Sequence, residues 1–219
     1  MNEYHKINTI FKRDMEKGNS NGNKIIIDLC GGTGSWSKPY KEAGYDVRVI
    51  TLPRYDVTTY QLPKEPVYGI LAAPECTQFS IARTTAKEPR DLRKGMILVE
   101  ACMQLIWEAR KRNKLAFWAL ENPRGLLRQF LGIPILSYQP DEYGELYTKH
   151  TDIWGYFKIP EKLKNKPIIP ERVKMQFAKN NRILPELPEG YKPAYGRNQA
   201  ARRSMTSPKF ANAFFKANK

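Results

Sequence analysis

Two side chains with reactive chemistry follow apolar runs that are typical of buried strands. Cys76 comes after "VYGILAAPE" (residues 67–75), and Glu121 lies at the end of "LAFWALEN" (residues 115–122). A cysteine inside a strand most often fills the core, but one at the end of a strand can present its thiol to a ligand. A carboxylate in such a place either ends a turn or meets a partner. Cys76 is therefore a candidate nucleophile and Glu121 a candidate acid, and Arg83 is the nearest cation in sequence that could lower the pKa of the thiol.

The stretch "DLCGGTG" (residues 28–34) carries glycines between a strand-like run and a helix-like one. Gly32 and Gly34 allow a ligand to approach the backbone closely, which suits a nucleotide-like cofactor, although a glycine-rich turn also serves tight packing. The nicotinamide-binding pattern GxGxxG fits poorly, because the next glycine is Gly44. The following strand also lacks the acid that would hold a ribose.

Apolar runs that alternate with helical periodicity predict an α/β fold with a doubly wound, mostly parallel sheet. The longest predicted helix comprises residues 92–114, and one face of it carries Met96, Val99, Met103 and Ile106. The strands are expected at residues 24–29, 45–52, 67–75 and 115–122. Ligands bind such sheets at the carboxyl ends of the strands, so Cys76 and Glu121 should share one crevice.

The chain is expected to form one domain, because 219 residues bury a single full core. Residues 1–23 should form a short helix followed by a flexible polar connector, and residues 24–219 the domain itself. Residues 155–203 form a basic, proline-rich excursion with 12 Lys and Arg, 4 acidic residues and 6 Pro. The closing "SPKFANAFFKANK" predicts an amphipathic helix with Ser207 as its N-cap and Pro208 at its first position.

Composition favours a polyanionic partner and argues against metal or membrane binding. The 37 Lys and Arg against 22 Asp and Glu give a formal charge of +15, which indicates nucleic acid unless the basic surface only serves solubility. Three cysteines without CxxC spacing indicate neither a disulfide framework nor a zinc site. No apolar segment has the length of a membrane span or a signal peptide. We therefore expect a cytoplasmic monomer without a metal ion.

Three motifs in this order resemble those of the DNA cytosine-5 methyltransferases, in particular the short phage-type members. "DLCGGTG" is similar to the cofactor motif, "PECTQFS" to the nucleophile motif and "ENPRG" to the base-recognition motif. The resemblance implies a Rossmann-like, class I S-adenosylmethionine-dependent fold. It also implies that Cys76 attacks C6 of cytosine while Glu121 holds and protonates N3, so that C5 can take the methyl group from S-adenosylmethionine.

The resemblance extends to further site residues, with departures. "YGELYTKHT" (residues 143–151) is similar to the segment that supports the target base, where Lys149 falls on the first arginine, but Leu146, Tyr147 and Thr151 differ from the pattern. Cys30, Glu75 and Pro123 replace the usual phenylalanine, proline and valine of the three motifs. The cofactor pocket that the family implies comprises Asp28, Cys30, Gly32, Gly34, Asp56, Pro74, Ser204 and Thr206, with Ser207 beside them.

Nucleic acid is expected to meet the loops at the same edge and the basic excursion, which stands where full-length members carry a target-recognition domain. The residues expected to contact it are Gln78, Ser80, Arg83, Asn122, Arg124, Lys162, Lys164 and Lys166. Aromatic residues of the excursion could stack on bases, namely Tyr156, Phe157, Phe177, Tyr191 and Tyr195. The excursion could equally be a solvated cover of the sheet edge. Two other functions stay open: methylation of cytosine in RNA or a free nucleotide, and a catalytically inactive nucleic-acid-binding module.

Overall fold

The computed structural model describes residues 21–81, 83, 87–112, 115–168, 184–193 and 198–219. The predicted N-terminal helix, Phe177 and Tyr195 lie outside these residues. The strands are β1 (Ile25–Leu29), β2 (Asp46–Ile50), β3 (Val67–Ala72), β4 (Phe117–Pro123), β5 (Leu136–Tyr138) and β6 (Thr151–Tyr156). The helices are α1 (Lys38–Glu42), α2 (Leu92–Arg112), α3 (Arg128–Leu131), α4 (Asn198–Ser204) and α5 (Pro208–Ala217), with a 3-10 helix at Pro140–Tyr143.

All six strands join one sheet in the order β2-β1-β3-β4-β6-β5. Strands β1 to β4 pair in parallel, whereas β6 runs antiparallel to both β4 and β5. Strand β5 therefore points in the same direction as β1 to β4, and β6 is the one reversed strand of this sheet. This arrangement confirms the predicted Rossmann-like α/β fold with a mostly parallel sheet, and it gathers the carboxyl ends of β1 to β4 at one edge.

Strand β1 is apolar apart from Asp28 because both of its faces are covered. Ile25 and Ile27 pack in the core on the α2 side of the sheet, together with Val99. Ile26 points to the opposite face and packs in the core that includes Phe214 of α5. A strand buried on both faces has no polar face, which explains the continuous run that predicted it.

The inner face of α2 differs in part from the prediction. Val99 and Ile106 are buried as expected, whereas Met96 and Met103 are only partly buried. Cys102, Leu105 and Ala109, which the prediction did not name, are also buried on this face. Although α2 is 21 residues long, neither it nor another described helix is long and apolar enough to cross a membrane.

The basic excursion is shorter at both ends than its sequence suggested. Gly155 and Tyr156 belong to β6 and pair with β4, so the irregular part starts at Phe157. At the other end, residues from Asn198 onward form α4. The boundary chosen from composition therefore included parts of two regular elements.

Helix α5 begins as predicted and closes one face of the sheet. Ser207 is its N-cap and accepts a hydrogen bond from the backbone N–H of Phe210 (3.2 Å), with Pro208 at the first helical position. The Ser207 hydroxyl also donates to Glu145 Oε1 (3.0 Å). Phe210 stacks on Tyr138 with ring centroids 3.9 Å apart. The cap thus fixes the helix where its aromatic residues reach the core.

Replacing Ser207 by Ala removes both hydrogen bonds and should lower the free energy of unfolding by about 1 kcal/mol, the usual worth of an N-cap. Asn212→Ala, on the exposed side of the same helix, is the matched control and should change it by less than about 0.5 kcal/mol. Urea unfolding followed by circular dichroism measures both. Equal destabilisation by the two variants would contradict a specific role of the cap.

Candidate active site

Three of the predicted site residues converge at the carboxyl edge of the sheet. Glu121 lies in β4 and is buried, and Lys149 lies two residues before the start of β6. The Lys149 ammonium lies 3.6 Å from Glu121 Oε1, in an ion pair that is largely shielded from solvent. Cys76 is within the electrostatic reach of both groups. It lies four residues beyond the end of β3 at Ala72, so it belongs to a loop rather than to the strand end that the sequence predicted.

The loop that carries Cys76 is a tight turn held against the core. The carbonyl oxygen of Cys76 accepts hydrogen bonds from the N–H groups of Phe79 and Ser80, both at 2.9 Å. The ring of Phe79 is fully buried, and its carbonyl oxygen accepts from Leu126 N–H at 2.9 Å. A Cβ on Gly125 would overlap that carbonyl oxygen, so only glycine lets the two loops approach. The position of the thiol is therefore set by backbone bonds and by packing.

Sequence reasoning missed Arg90, which clamps the same turn. Its guanidinium donates to the carbonyl oxygens of Gln78 (2.8 Å) and Ser80 (2.9 Å). Arg83, which was expected to act on the thiol, instead donates to the carbonyl oxygen of Pro89 (3.2 Å). In sequence, Arg90 is one basic residue among many, and only the fold shows which carbonyl groups it meets.

The cation that acts on the Cys76 thiol is Lys149. Burial raises the pKa of Cys76 above its usual value, Lys149 opposes this shift, and the carboxylates of Glu121 and Glu75 add to it. Glu75 is exposed and accepts a hydrogen bond from the Thr77 hydroxyl (2.5 Å). The thiol is therefore predominantly protonated at neutral pH, and its reactivity depends on the balance of the surrounding charges.

Glu121 itself has a raised pKa. Burial is the largest cause, Lys149 opposes it, and the neighbouring Asp152 adds to it. A carboxyl group with these surroundings can hold a proton closer to neutral pH than an exposed glutamate can. Such a group is suited to act as a proton donor to a ligand.

Two residues that were expected to contact nucleic acid make hydrogen bonds within the protein. Asn122 is completely buried, and its amide donates to the carbonyl oxygen of Pro74 (2.9 Å), which conflicts with direct contact to a ligand. The side-chain oxygen of Gln78 accepts a hydrogen bond from the backbone N–H of Asp91 (2.9 Å).

Arg124, in contrast, is exposed beside the site, and its backbone N–H donates to the carbonyl oxygen of His150 (2.9 Å). Ser80 is half-buried within the clamped turn.

The glycine turn after β1 fits the expected cofactor. Gly32 and Gly34 have φ angles of +54° and +69°, the left-handed region in which glycine is favoured. Beneath the turn, Asp28 is fully buried and accepts a hydrogen bond from the Ser37 hydroxyl (2.5 Å), while its Oδ1 has no partner among the described residues. Burial raises the pKa of Asp28 to about 6. At Gly32 and Gly34 the turn thus leaves its backbone open to a ligand. The buried Asp28 supports the turn from below.

The other expected cofactor residues differ in accessibility. Asp56 is exposed, and hydrogen bonds from the backbone and hydroxyl of Thr58 hold its pKa below the usual value, so it presents a carboxylate. Pro74 and Thr206 are buried. Ser204 is exposed, but its hydroxyl donates to Ala201 in its own helix (2.7 Å).

Cys30 faces the core instead of the ligand side of the turn. Its φ angle is +55°, and its sulfur lies 4.0 Å from that of Cys102 on α2. All three cysteines are free thiols. Within the described ranges, no three His, Cys, Asp or Glu side chains converge in a way that could hold a metal ion.

Two of the three excursion lysines are engaged in ion pairs. Lys162 lies 2.9 Å from Glu142, and Lys166 lies 3.4 Å from Asp141, both acids of the 3-10 helix. Lys164 is exposed and has no ion pair in the described part of the chain. Phe157 packs on Phe214 of α5 with ring centroids 5.3 Å apart, so it is not free to stack on a base. These contacts favour the interpretation of residues 157–168 as a cover of the core.

Known proteins that resemble this chain give little information about the function of this site. No family model matches the chain, and no curated protein matches it. One solved structure that it resembles is a candidate DNA modification methyltransferase encoded within an E. coli prophage. The identity is 18%, the match covers 71% of this chain and 54% of that chain, and the TM-score is 0.46. The chain thus spans about half the length of that structure, and a likeness at this level assigns no activity.

The raised pKa of Asp28 makes a pH-dependent prediction. Because the folded state binds this proton more tightly than the unfolded state, the carboxyl group stabilises the fold at low pH and loses that contribution as pH rises through about 6. Asp28→Asn should therefore gain stability relative to the wild type, by about 2 kcal/mol between about pH 4.5 and about pH 7.5. Urea unfolding across this range measures it.

Asp56→Asn is the control with the opposite sign, because the pKa of Asp56 is lowered and its contribution is lost as pH falls. A difference between wild type and Asp28→Asn that does not change with pH would show that Asp28 is not buried as described.

The charges around Cys76 should control how fast iodoacetamide alkylates it. Lys149→Met removes the group that opposes the raised pKa, so alkylation should slow by about threefold, and Glu75→Gln should accelerate it by a similar factor. Peptide mass spectrometry separates the three cysteines, and the buried Cys102 is the internal reference. Equal rates in wild type and both variants would mean that these charges do not reach the thiol.

Proposed function

We propose that this protein transfers a methyl group from S-adenosylmethionine to C5 of cytosine in DNA, through a covalent bond between Cys76 and C6 of the base. The observation that carries the proposal is the convergence of a thiol, a buried carboxyl group and an ammonium group at the carboxyl edge of the sheet. The glycine turn at the end of β1 lies at this same edge. A nucleophile, a proton donor and a cofactor turn are the parts that this reaction requires.

The protonation states of Cys76 and Glu121 suit the first step of this reaction. The Cys76 thiol gives up its proton to solvent water and its sulfur bonds to C6, while the protonated Glu121 gives its own proton to N3, so that the ring does not accumulate negative charge. The raised pKa of Glu121 keeps a proton available, and Lys149 limits that rise. The addition makes C5 nucleophilic.

S-adenosylmethionine, when bound, supplies the methyl group that C5 takes. Gly32 and Gly34 would lie under its methionine part, and the exposed Asp56 carboxylate would lie near the adenosine. After methyl transfer, C5 loses its proton to solvent water and the bond between C6 and Cys76 breaks, with the sulfur leaving as a thiolate. N3 returns its proton to Glu121, which restores the aromatic ring and both protein groups. The Cys76 turn has to hold the sulfur still through both steps, which is the task of the Arg90 clamp.

Nucleic acid as the substrate is supported by charge. The chain carries a formal charge of +15, and the exposed Arg124 lies beside the three converging residues. Phosphate neutralisation by such residues favours DNA and also RNA, so charge does not choose between them. The test therefore offers both polymers to the protein.

The proposal predicts a trapped complex with DNA in which all cytosines are replaced by 5-fluorocytosine. Fluorine cannot leave C5 as a proton does, so the enzyme should stay covalently bound after methyl transfer. A denaturing gel with S-adenosylmethionine and single- or double-stranded DNA detects the adduct. Cys76→Ser should abolish it, Cys102→Ser is the matched control that should retain it, and Glu121→Gln should slow its formation by about 10 to 100 fold.

Fluorinated RNA of the same sequence decides the substrate class. Adducts with RNA alone would replace DNA as the substrate while keeping the chemistry. Trapping by Cys76→Ser at the wild-type level, or no adduct with either polymer in the presence of the cofactor, would contradict the proposed reaction.

A further inference from the structure

The segment of residues 184–193 brings one side chain to the glycine turn. Tyr191 extends from this segment, and its hydroxyl oxygen lies 3.9 Å from the point where a Cβ on Gly32 would be. Gly32 has no side chain, so the Tyr191 hydroxyl faces the backbone of the turn directly. Tyr191 is one of the aromatic residues that could stack on bases, whereas the fold directs its hydroxyl to the glycine turn.

One anchor to α4 and one internal turn define the course of this segment. At its start, Leu184 is buried, and the guanidinium of Arg202 on α4 donates to the carbonyl oxygens of Leu184 (2.6 Å) and Pro185 (2.8 Å). Near its end, the N–H of Tyr191 donates to the carbonyl oxygen of Pro188 (3.0 Å) in a turn. The bonds of Arg202 hold the start of the segment, and the internal turn sets the local backbone from which Tyr191 extends.

The chemistry of the hydroxyl suits one end of the proposed cofactor. Tyr191 is half-buried, and burial raises its pKa, so it remains a protonated hydrogen-bond donor at neutral pH. A neutral donor beside a bare backbone turn can bind a carboxylate without placing a second charge there. The methionine part of S-adenosylmethionine, which the proposed function places over Gly32, ends in a carboxylate.

We infer that Tyr191 is a cofactor-binding residue whose hydroxyl donates a hydrogen bond to the carboxylate of the methionine part of S-adenosylmethionine. The inference rests on the proposed function for the identity of the ligand. It assigns the segment of residues 184–193 to the wall of the cofactor pocket, which is a different task from binding nucleic acid.

Two ligands that differ in the amino-acid end test this contact by calorimetry. S-adenosylhomocysteine carries the carboxylate, whereas 5′-methylthioadenosine lacks the amino-acid part. Tyr191→Phe should weaken S-adenosylhomocysteine by about tenfold, as expected for a hydrogen bond to a charged group, and should leave 5′-methylthioadenosine within about twofold. Tyr156→Phe, an exposed tyrosine at the end of β6, is the matched control and should change neither affinity.

Each other outcome overturns the inference. Unchanged binding of S-adenosylhomocysteine by Tyr191→Phe excludes the contact, and equal weakening of both ligands places Tyr191 near the adenosine part or shows a general loss of the pocket. If the wild-type protein binds neither ligand, the proposed function fails, and this result is read from the wild type alone before any variant is compared.

Discussion

The antiparallel pairing of β6 with β4 is the constraint on which the site depends. Ile153 lies opposite Glu121, and Thr151 lies opposite Pro123. Because β6 runs against its neighbours, it starts at the edge where the parallel strands end. The residue that comes shortly before β6 is Lys149, which is why an ammonium group lies beside the buried Glu121. In a parallel strand at this position, the same residue would lie at the opposite edge of the sheet, and the carboxyl group would be buried without a counter-charge.

Two buried carboxyl groups in this sheet have different surroundings and therefore different chemistry. Asp28 on β1 has a neutral partner, the hydroxyl of Ser37, and its burial is offset only by hydrogen bonds. Glu121 on β4 has a cationic partner, Lys149, whose ammonium lies 3.6 Å from its Oε1. A carboxyl group fixed by a short hydrogen bond supports a turn, whereas one in a loose ion pair can exchange a proton. The surroundings, more than the residue type, separate a structural acid from a candidate catalytic one.

Features set by local chemistry could be predicted from the sequence, and features set by long-range contacts could not. The apolar run of β1 and the Ser207 cap of α5 follow from neighbouring residues, and both were predicted. The common edge of Cys76 and Glu121 followed from the topology of α/β sheets. The clamp by Arg90, the burial of Asn122 and the contact of Tyr191 with the glycine turn depend on residues that meet only after the chain has folded. No local pattern distinguishes these residues from their neighbours of the same type.

The closure of the sheet by α5 has a consequence for how the chain can vary in length. Trp36, just after the glycine turn, packs on Phe214 with ring centroids 5.4 Å apart, and Tyr40 reaches Asn218 across 178 residues of sequence. Such a long loop is costly to close, but the cost grows only with the logarithm of loop length, by about 0.6 kcal/mol for each doubling. Extra residues inserted between β6 and α4 would therefore add little closure entropy to the cost of folding. This part of the chain can therefore gain a whole module while the glycine turn keeps its aromatic cover.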